Sequence, residues 1–465
     1  MRSRLIGLVV VVVAATACTD IAGNTETSDP EPVVQPGVAD DTDESNTNSS
    51  TPIDAPTTSA EPSVMVPDGP AIIDGVADSL ILVHDIDGGE RALVSYRADG
   101  TEVTNYSGGP DELIIQPIWS PDGRRIAWAR AADGEGWELV TAAVDGTDLT
   151  VHELPGRPDY ITYDPTASRM LALTPSPSGF GLVIIELDGE ATADPGADRF
   201  QIVDLGAPYF SDFAPDGNRL IAHVGTDLRV VDLSGEVTSL ELTSGSHQTP
   251  AWHPQDDTVF FTTDTGDGER LVSYELGADV RTELGVIVGV TLFDLDPTGT
   301  RLAVMAYATA RAPGGLEAIR QPGARQTSTT PDTVLETGLW VIDVADGRAR
   351  LLDDRPETAP LWDPTGSRVL VRDALDGVGR WNVFELDGTS TGTDEYDIDQ
   401  SQVPAYLPFW DQYARSQTVW SPDGGHFVHV GRAISGESGV WIHDASTSGK
   451  SILLAGGDIA FWSPT

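Results

Sequence analysis

One short turn motif recurs along this chain and constrains its fold more than any other feature. Its fullest copies, Trp119–Gly123 and Trp420–Gly424, read Trp-Ser-Pro-Asp-Gly and are followed by apolar runs typical of strands. The Ser or Asp can cap the backbone, Pro presets φ near about −65°, and Gly accepts the positive φ that closes a hairpin. With degenerate copies included, the motif occurs eight times, at Pro121, Pro165, Pro215, Pro254, Pro297, Pro364, Pro422 and Pro464.

A second recurring unit is an alternating strand that ends near an Asp-Gly or similar turn, and it also occurs eight times. Its first copy, at 92–96, has no motif strand before it, and the last motif strand, at 461–464, has no second unit after it. Each end of the array thus carries half of a repeat, which we call a half-unit. Both half-units are explained if the last strand, at about 458–463, pairs beside strands formed by about 79–106. We therefore predict an all-β fold, a β-propeller of four-stranded blades closed into a ring by the C-terminal strand. Eight blades fit the repeats best, and seven or six are the alternatives.

The first eighteen residues predict a signal peptide and a membrane anchor. Arg2 and Arg4 precede an apolar run that is too short for a transmembrane helix, which needs about 20 residues. The run ends at Ala15-Thr16-Ala17-Cys18, and small residues before a cysteine resemble a bacterial lipobox, in which the thiol is diacylated. Since Cys18 is the only cysteine in the chain, we predict cleavage after residue 17 and lipid attachment at Cys18. An ordinary signal peptide with an incidental cysteine is the alternative.

A tether at 18–70 separates this anchor from the folded body. Residues 19–70 contain eleven acidic residues, no Lys or Arg, and no aromatic residue. Such a segment cannot bury enough apolar surface to offset the entropy lost on ordering. We therefore predict a signal peptide at 1–17, a disordered acidic Ser/Thr/Pro-rich tether at 18–70, and the propeller at 71–465. The body would lie at the extracytoplasmic face of a bacterial cell membrane.

The motif repeats resemble those of the TolB-type β-propeller family, also described as WD-like, over about residues 75–465. The resemblance, together with Cys18, implies a TolB-like propeller lipoprotein. Relatives in this family include periplasmic scaffold proteins that bind partner proteins, and propeller domains attached to serine peptidases. The family's motif residues are structural, so the resemblance implies no catalytic residue and no cofactor.

Composition excludes several kinds of chemistry. The 73 acidic and 27 basic residues give a formal net charge of −46, which repels nucleic acid. One cysteine cannot build a Cys-based metal site, and eight scattered histidines show no metal-ligand spacing, so no metal is predicted. The nearest match to a Gly-x-Ser-x-Gly elbow, at 435–439, lacks the first glycine. We therefore expect a non-catalytic protein- or ligand-binding scaffold. The alternative is a propeller enzyme, a glycan lyase or hydrolase, with its site at the central channel.

Two insertions single out one face of the predicted ring. Residues 306–337 lie between the second and third strands of one blade, and residues 395–417 lie between a fourth strand and the next blade's first. Because blade strands alternate in direction, both emerge opposite the short motif turns. Their distinctive residues are the basic Arg311, Arg320 and Arg325, and the aromatic Tyr406, Phe409, Trp410 and Tyr413.

Arginine and aromatic side chains are the types that anchor protein interfaces. We therefore predict that a monomeric chain binds a protein or cell-envelope partner on this face. The alternative is that the arginines pair with the protein's own acids while the aromatic residues cap the channel.

Overall fold

The computed structural model describes residues 79–465, apart from 88–89, 107–111, 133–135, 188–199, 244, 246–248, 265–268, 288, 309–333, 356, 374–376 and 398–409. Within this part of the chain almost all regular structure is β-strand, and the only helix is α1 (Trp410–Tyr413). No helix of the described residues is long and apolar enough to cross a membrane. Cys18 and the predicted signal peptide and tether lie outside the described residues.

The strands run in sequence order around the molecule. Those of the first half are β1 (Leu80–Asp87), β2 (Glu90–Arg97), β3 (Glu102–Asn105), β4 (Leu113–Trp119), β5 (Arg125–Ala132), β6 (Gly136–Ala143), β7 (Thr150–Leu154), β8 (Tyr160–Tyr163), β9 (Arg169–Ser176), β10 (Gly179–Glu186), β11 (Gln201–Leu205), β12 (Tyr209–Phe213), β13 (Arg219–Val224), β14 (Asp227–Asp232) and β15 (Val237–Thr243).

The second half contains more short strands. They are β16 (Ala251–Trp252), β17 (Thr258–Asp264), β18 (Glu269–Glu275), β19 (Val280–Ile287), β20 (Gly289–Leu295), β21 (Arg301–Ala308), β22 (Val334–Leu335), β23 (Gly338–Asp343), β24 (Ala349–Asp353), β25 (Leu361–Trp362), β26 (Arg368–Arg372), β27 (Val378–Gly379), β28 (Trp381–Glu385), β29 (Ser390–Thr393), β30 (Tyr396–Asp397), β31 (His426–Ala433), β32 (Ser438–Asp444), β33 (Ser448–Gly449), β34 (Ile452–Ala455) and β35 (Ile459–Trp462).

These strands form eight sheets, each with four antiparallel strands at its centre, arranged as the blades of a propeller ring. The first strands of neighbouring blades contact one another, as β4 does β8, β12 does β16 and β20 does β25. Those strands therefore line the central channel, and the fourth strands lie outside. The predicted all-β, eight-bladed propeller is confirmed.

The two ends of the chain close the ring within one blade. Strand β35 pairs antiparallel with β1, with Ile81 opposite Trp462 and Leu82 opposite Phe461, so the first blade has the order β3-β2-β1-β35. This pairing is the one predicted from the half-units at the two ends of the repeat array. It removes the sheet edge that an open array would leave at each end.

The motif turns are closed by the side chain that precedes proline. Ser120 Oγ accepts a hydrogen bond from the Arg125 N–H at 2.9 Å, and where Asp replaces Ser, Asp363 Oδ1 accepts from Ser367 and Arg368. His253 performs the same task, because its Nδ1 accepts from Gln255 and Asp256 at 3.2 Å each. The predicted capping chemistry thus applies to three different residue types.

The motif glycines also contact the preceding blade, which the turn chemistry alone does not predict. Gly424 has a φ of +68°, and a Cβ built there would lie 2.7 Å from Oδ2 of Asp363, the capping residue of the preceding blade. A Cβ on Gly299 would lie 2.0 Å from His253 Nε2 in the same way. Successive turns therefore stack against one another around this end of the ring, which we call the turn face.

Buried side chains fill the spaces between blades rather than a single central core. Trp119 and Phe461, from neighbouring blades, belong to one such cluster, and Trp119 Nε1 donates to the Phe461 carbonyl oxygen at 3.2 Å. Each large buried side chain contributes about 1.5–3 kcal/mol through removal from water. Trp119, which precedes Ser-Pro in its motif, is thus a contact between blades.

The other end of the ring, which we call the insertion face, carries both insertions. The end of the first insertion forms β22, which pairs parallel with β19 on the outside of the neighbouring blade. The second insertion interrupts an inner strand: β30 pairs with the far end of β31, and Trp420 bridges Phe427 at its near end. In the sequence, residues 398–409 and α1 separate these two halves of the strand.

The turn stacking predicts a large cost for a small substitution. Gly424→Ala should lower the free energy of unfolding by about 2 kcal/mol, because alanine is strained at positive φ and its Cβ would displace the Asp363 cap. Gly277→Ala is the matched control, since nothing lies within 4 Å of a Cβ there. Urea unfolding of the two variants measures the difference. Equal effects at both positions would contradict the stacking.

Candidate functional site

The predicted binding residues divide between described and undescribed parts of the chain. Trp410 and Tyr413 lie in α1. The remaining five, Arg311, Arg320, Arg325, Tyr406 and Phe409, lie outside the described residues.

Helix α1 occupies the central channel, because its side chains bond to three consecutive blades. The Gln412 amide accepts from the Ser211 N–H at 2.8 Å and donates to the Ser211 carbonyl oxygen at 3.1 Å. Asp411 Oδ2 accepts from the Thr249 N–H at 2.8 Å, and the Tyr413 hydroxyl donates to the Asp159 carbonyl oxygen at 2.9 Å. These partners lie in or just before β8, β12 and β16, which converge only at the channel. We call residues 410–417 the plug.

The two described aromatic residues of the predicted binding set face inward to different degrees. Tyr413 is 9% exposed and its ring centroid lies 5.8 Å from that of Tyr160. Trp410 is half-buried and packs against the cluster formed by the first, seventh and eighth blades. Both help to hold the plug in the ring, so a loss of binding on their substitution would need a separate check of folding. A direct role for either in binding stays a prediction.

Arg415 of the plug lies between two acidic residues of the channel wall. Its Nη1 is 3.6 Å from Asp294 Oδ1 and 3.9 Å from Asp212 Oδ2. Each carboxylate also accepts a backbone N–H from the next blade, Asp212 from Trp252 at 2.7 Å and Asp294 from Trp362 at 2.9 Å. The two acids therefore join neighbouring inner strands and anchor the plug at once.

The charges of Asp212, Asp294 and Arg415 shift one another's pKa values. Burial raises the pKa of Asp212 and of Asp294, while the charge of Arg415 opposes that rise. Burial acts against the Arg415 charge, yet Asp212, Asp294 and Asp411 together raise the pKa of its guanidinium. The carboxylates of Asp212, Asp294 and Asp411 thus surround the single guanidinium of Arg415, and the channel carries no excess positive charge at this cluster.

A second cluster lies on the insertion face between the sixth and seventh blades. The Glu357 side chain is fully buried; its Oε1 accepts from Asn382 at 3.3 Å and is 3.6 Å from Arg355 Nη2, and its Oε2 has no hydrogen-bond partner. Burial, assisted by the charges of Asp353 and Asp373, raises the pKa of Glu357 to about 8. The carboxyl group is therefore mostly protonated at neutral pH.

Tyr307 connects this cluster to the plug. Its hydroxyl donates to the backbone carbonyl oxygen of Glu357. Burial, followed by the charges of Glu357 and Asp411, raises the pKa of Tyr307. The Tyr307 hydroxyl thus lies against the backbone of Glu357, and the protonated Glu357 carboxyl group can act as a proton donor.

Metal binding has no support in the described part of the chain. It contains no group of three or more His, Cys, Asp or Glu residues that could hold a metal ion.

Sequence reasoning missed most of these residues, although one signal was present. At the motif position two residues before the cap, Asp212 and Asp294 stand where other copies have Ile118, Ala251 or Leu361. An acid at a position that is apolar in most copies indicates a specific partner. Nothing comparable marks Gln412 or Glu357, whose partners are distant in the sequence.

Comparison with known proteins supports the propeller fold but does not show a family for this chain. No protein-family model matches the chain, and no curated protein matches it in sequence. Solved structures similar to it include that of a eukaryotic initiation factor, at 13% identity and a TM-score of 0.51, covering 83% of this chain and 98% of that one. An oligogalacturonate lyase in complex with manganese is similar at 15% identity and a TM-score of 0.48, covering 79% of this chain and 96% of that one. TolB from Acinetobacter baumannii is similar at 14% identity and a TM-score of 0.36, covering 68% and 63%.

The sequence predicted a non-catalytic protein. The architecture does not support that prediction, which is wrong. Structures similar in fold include propeller enzymes, among them the lyase above and prolyl endopeptidases. TolB homologues are also among the neighbours, at low identity. A propeller fold by itself does not separate a binding protein from an enzyme, and the distinction depends on the chemistry of the site.

Glu357 predicts an unusual dependence of stability on pH. Its folded pKa of about 8 lies above the ordinary 4.5, so its protonated form stabilises the fold at low pH and this contribution is lost as the pH rises towards 8. Glu357→Gln, which cannot ionise, should raise the free energy of unfolding at about pH 8 by roughly 3 kcal/mol and change it little at about pH 4.5. Urea unfolding across this range measures the effect. The exposed Glu236→Gln is the control, and an equal gain there would refute the assignment.

Proposed function

We propose that this protein is a lipid-anchored extracytoplasmic propeller that binds a partner protein or ligand on its insertion face. The observation that supports the proposal is the plug, because its side chains bond to the inner strands of three blades and so occupy part of the channel. A partner would therefore dock on the surface around the plug instead of passing through the ring. The resemblance of the motif repeats to TolB-type propellers is consistent with such a role.

The surface around the plug differs chemically from the turn face. On the turn face the motifs form short turns, in which capping side chains such as Ser120 and Asp363 are already bonded to their own backbone. On the insertion face, Trp410 is half-buried and Arg355 keeps half of its side chain exposed. The first insertion, which carries Arg311, Arg320 and Arg325, follows β21 at this face, and the second, which carries Tyr406 and Phe409, begins there just before β30.

The chemistry of a suitable partner follows from those residue types. Arginine side chains bind carboxylate or phosphate groups with paired hydrogen bonds, and aromatic side chains supply apolar contact area. The body of this protein is strongly acidic, so the three arginines of the first insertion would attract an acidic partner surface that most of the body repels. We propose that the partner presents an acidic patch beside an apolar one.

A second candidate function is catalysis at the edge of the plug, and the Glu357 cluster is the observation that favours it. Glycan lyases and hydrolases need a group that donates a proton near neutral pH, and a carboxyl group with a pKa of about 8 meets this need. The Glu357 side chain is fully buried here, so a substrate would reach it only after local opening. Turnover of a polysaccharide that Glu357→Gln abolishes without loss of the fold would support this candidate.

The membrane anchor has a direct test. Cys18→Ser removes the only thiol to which a lipid could be attached, so the variant should move from the membrane to the aqueous fraction of cells. Detergent-phase partition and the mass of the mature N-terminal peptide report the result. A wild-type peptide without added lipid mass would refute the anchor and leave partner binding untouched.

The binding face is tested by a charge-matched pair of variants. Arg311→Ala/Arg320→Ala/Arg325→Ala should reduce the yield of a crosslinked partner in intact cells by about tenfold, because it removes the basic groups of the insertion face. The control, Arg97→Ala/Arg124→Ala/Arg348→Ala, removes three exposed arginines from the turn face. Quantitative mass spectrometry of the crosslinked products compares the two. Equal yields from both variants would contradict the proposed face.

A further inference from the structure

Two buried histidines of the eighth blade share one serine hydroxyl. His429 Nε2 lies 2.9 Å from Ser451 Oγ, and His443 Nδ1 lies 3.1 Å from the same oxygen. His443 Nε2 lies 3.3 Å from the Thr447 carbonyl oxygen. His429 is 3% exposed and His443 is fully buried. As the strand alternation predicts, His426 points to the opposite side of β31 and takes no part.

The hydrogen-bond partners determine the tautomers of both rings. Because the Thr447 carbonyl can only accept, His443 carries its proton on Nε2 and its Nδ1 accepts from the Ser451 hydroxyl. The His429 Nε2–H then donates to Ser451 Oγ, which leaves Nδ1 of His429 unprotonated, buried and without a partner. The network is complete only while both imidazoles are neutral.

This network forms the floor of the pocket that holds β30. The Tyr396 ring meets the His429 ring edge-on at 4.6 Å between centroids and lies 5.1 Å from the Trp441 ring. Apart from this pocket, β30 is held by two residue pairs with β31, two with β27, and a bond from Arg372 Nη2 to the Tyr396 carbonyl oxygen at 3.1 Å. Residues 398–409 of the second insertion follow β30 directly.

We propose that His429, Ser451 and His443 form a pH-sensitive latch that holds β30, and with it one end of the second insertion, in the eighth blade. Protonation of either imidazole in acid would bury a cation in the closed pocket, and detachment of β30 would give that cation access to water. The consequence for binding rests on the proposed function of the insertion face. The latch itself can be tested without any partner.

The charges around the two imidazole rings favour release of β30 in acid. Burial is the largest cause that lowers the pKa of His429. A charge on His443 and the charge of Arg372 lower this pKa further. For His443, burial lowers the pKa, His426 adds to that effect, and Asp444 and Asp394 oppose it in part. On the β30 side, Asp394 and Glu437 are the acids that act on Tyr396. A histidine with a lowered folded pKa stabilises the closed form above its ordinary value of about 6.5, and this contribution is lost as the pH falls below it.

Hydrogen exchange of the full chain, expressed as protection factors, tests the latch. Between about pH 7.5 and about pH 5, the protection of residues 394–397 should fall by about tenfold, while that of β12 stays constant. His429→Gln/His443→Gln keeps polar groups at both positions but cannot be protonated, so its protection should not change with pH. His152→Gln, on β7 in the second blade, is the matched control and should behave as wild type.

Tyr396→Ala keeps the test decisive if the double variant does not fold. It removes the ring that the latch holds, so residues 394–397 should exchange rapidly at both pH values. Three results would overturn the latch: unchanged protection of the wild type, an equal fall in the double variant, or a parallel fall across β32, which would mean that the whole blade opens. Because no partner is present, these results are independent of whether the insertion face binds one.

Discussion

The pairing of β35 with β1 is the constraint on which the rest of the structure depends. Four register pairs, from Ile81–Trp462 to His84–Ile459, join residues at opposite ends of the folded chain. Without them the first blade would have three strands and the ring would expose an edge beside the eighth blade. The contact between the first and eighth blades and the channel itself require a closed ring. The stability of this protein is therefore a property of the whole circle and not of any one repeat.

Closure creates a second requirement inside the ring. The inner strands face the channel with backbone groups that have no further strand to pair with, and a buried polar group without a partner destabilises the fold. The plug meets this requirement in part: the Gln412 amide bonds both the N–H and the carbonyl of Ser211, much as a neighbouring strand would. Asp212 and Asp294 meet it differently, by accepting N–H groups from the next blade. The backbone groups of the turn face need no such partner, because capping side chains such as Ser120 and Asp363 bond to them within the same turn.

The two faces consequently have different chemistry. The turn face consists of stacked, self-capped turns that leave little room for change, since Gly299 and Gly424 already touch the preceding blade. The insertion face combines the plug, the protonated Glu357 and the short strand β30, each held by a few specific contacts. Binding and catalysis are both compatible with such a face. What separates them is whether the Glu357 carboxyl becomes accessible to a substrate, because the propeller itself serves both classes of protein.

The sequence by itself determined the architecture of this protein: the all-β class, the eight repeats, the capped turns and the closure of the ring. Each of these is encoded locally, because Pro and Gly set φ, alternation sets the faces of a strand, and half-units at the two ends predict their pairing. Only the tertiary structure decided that residues 410–417 enter the channel, that Arg415 meets Asp212 and Asp294, and that Glu357 is buried without a full set of partners. Those features depend on contacts between residues 25 to 254 positions apart, such as Glu357 with Asn382 and Tyr413 with Asp159. No local pattern specifies such contacts, because they form only where the closed ring brings different blades to one axis.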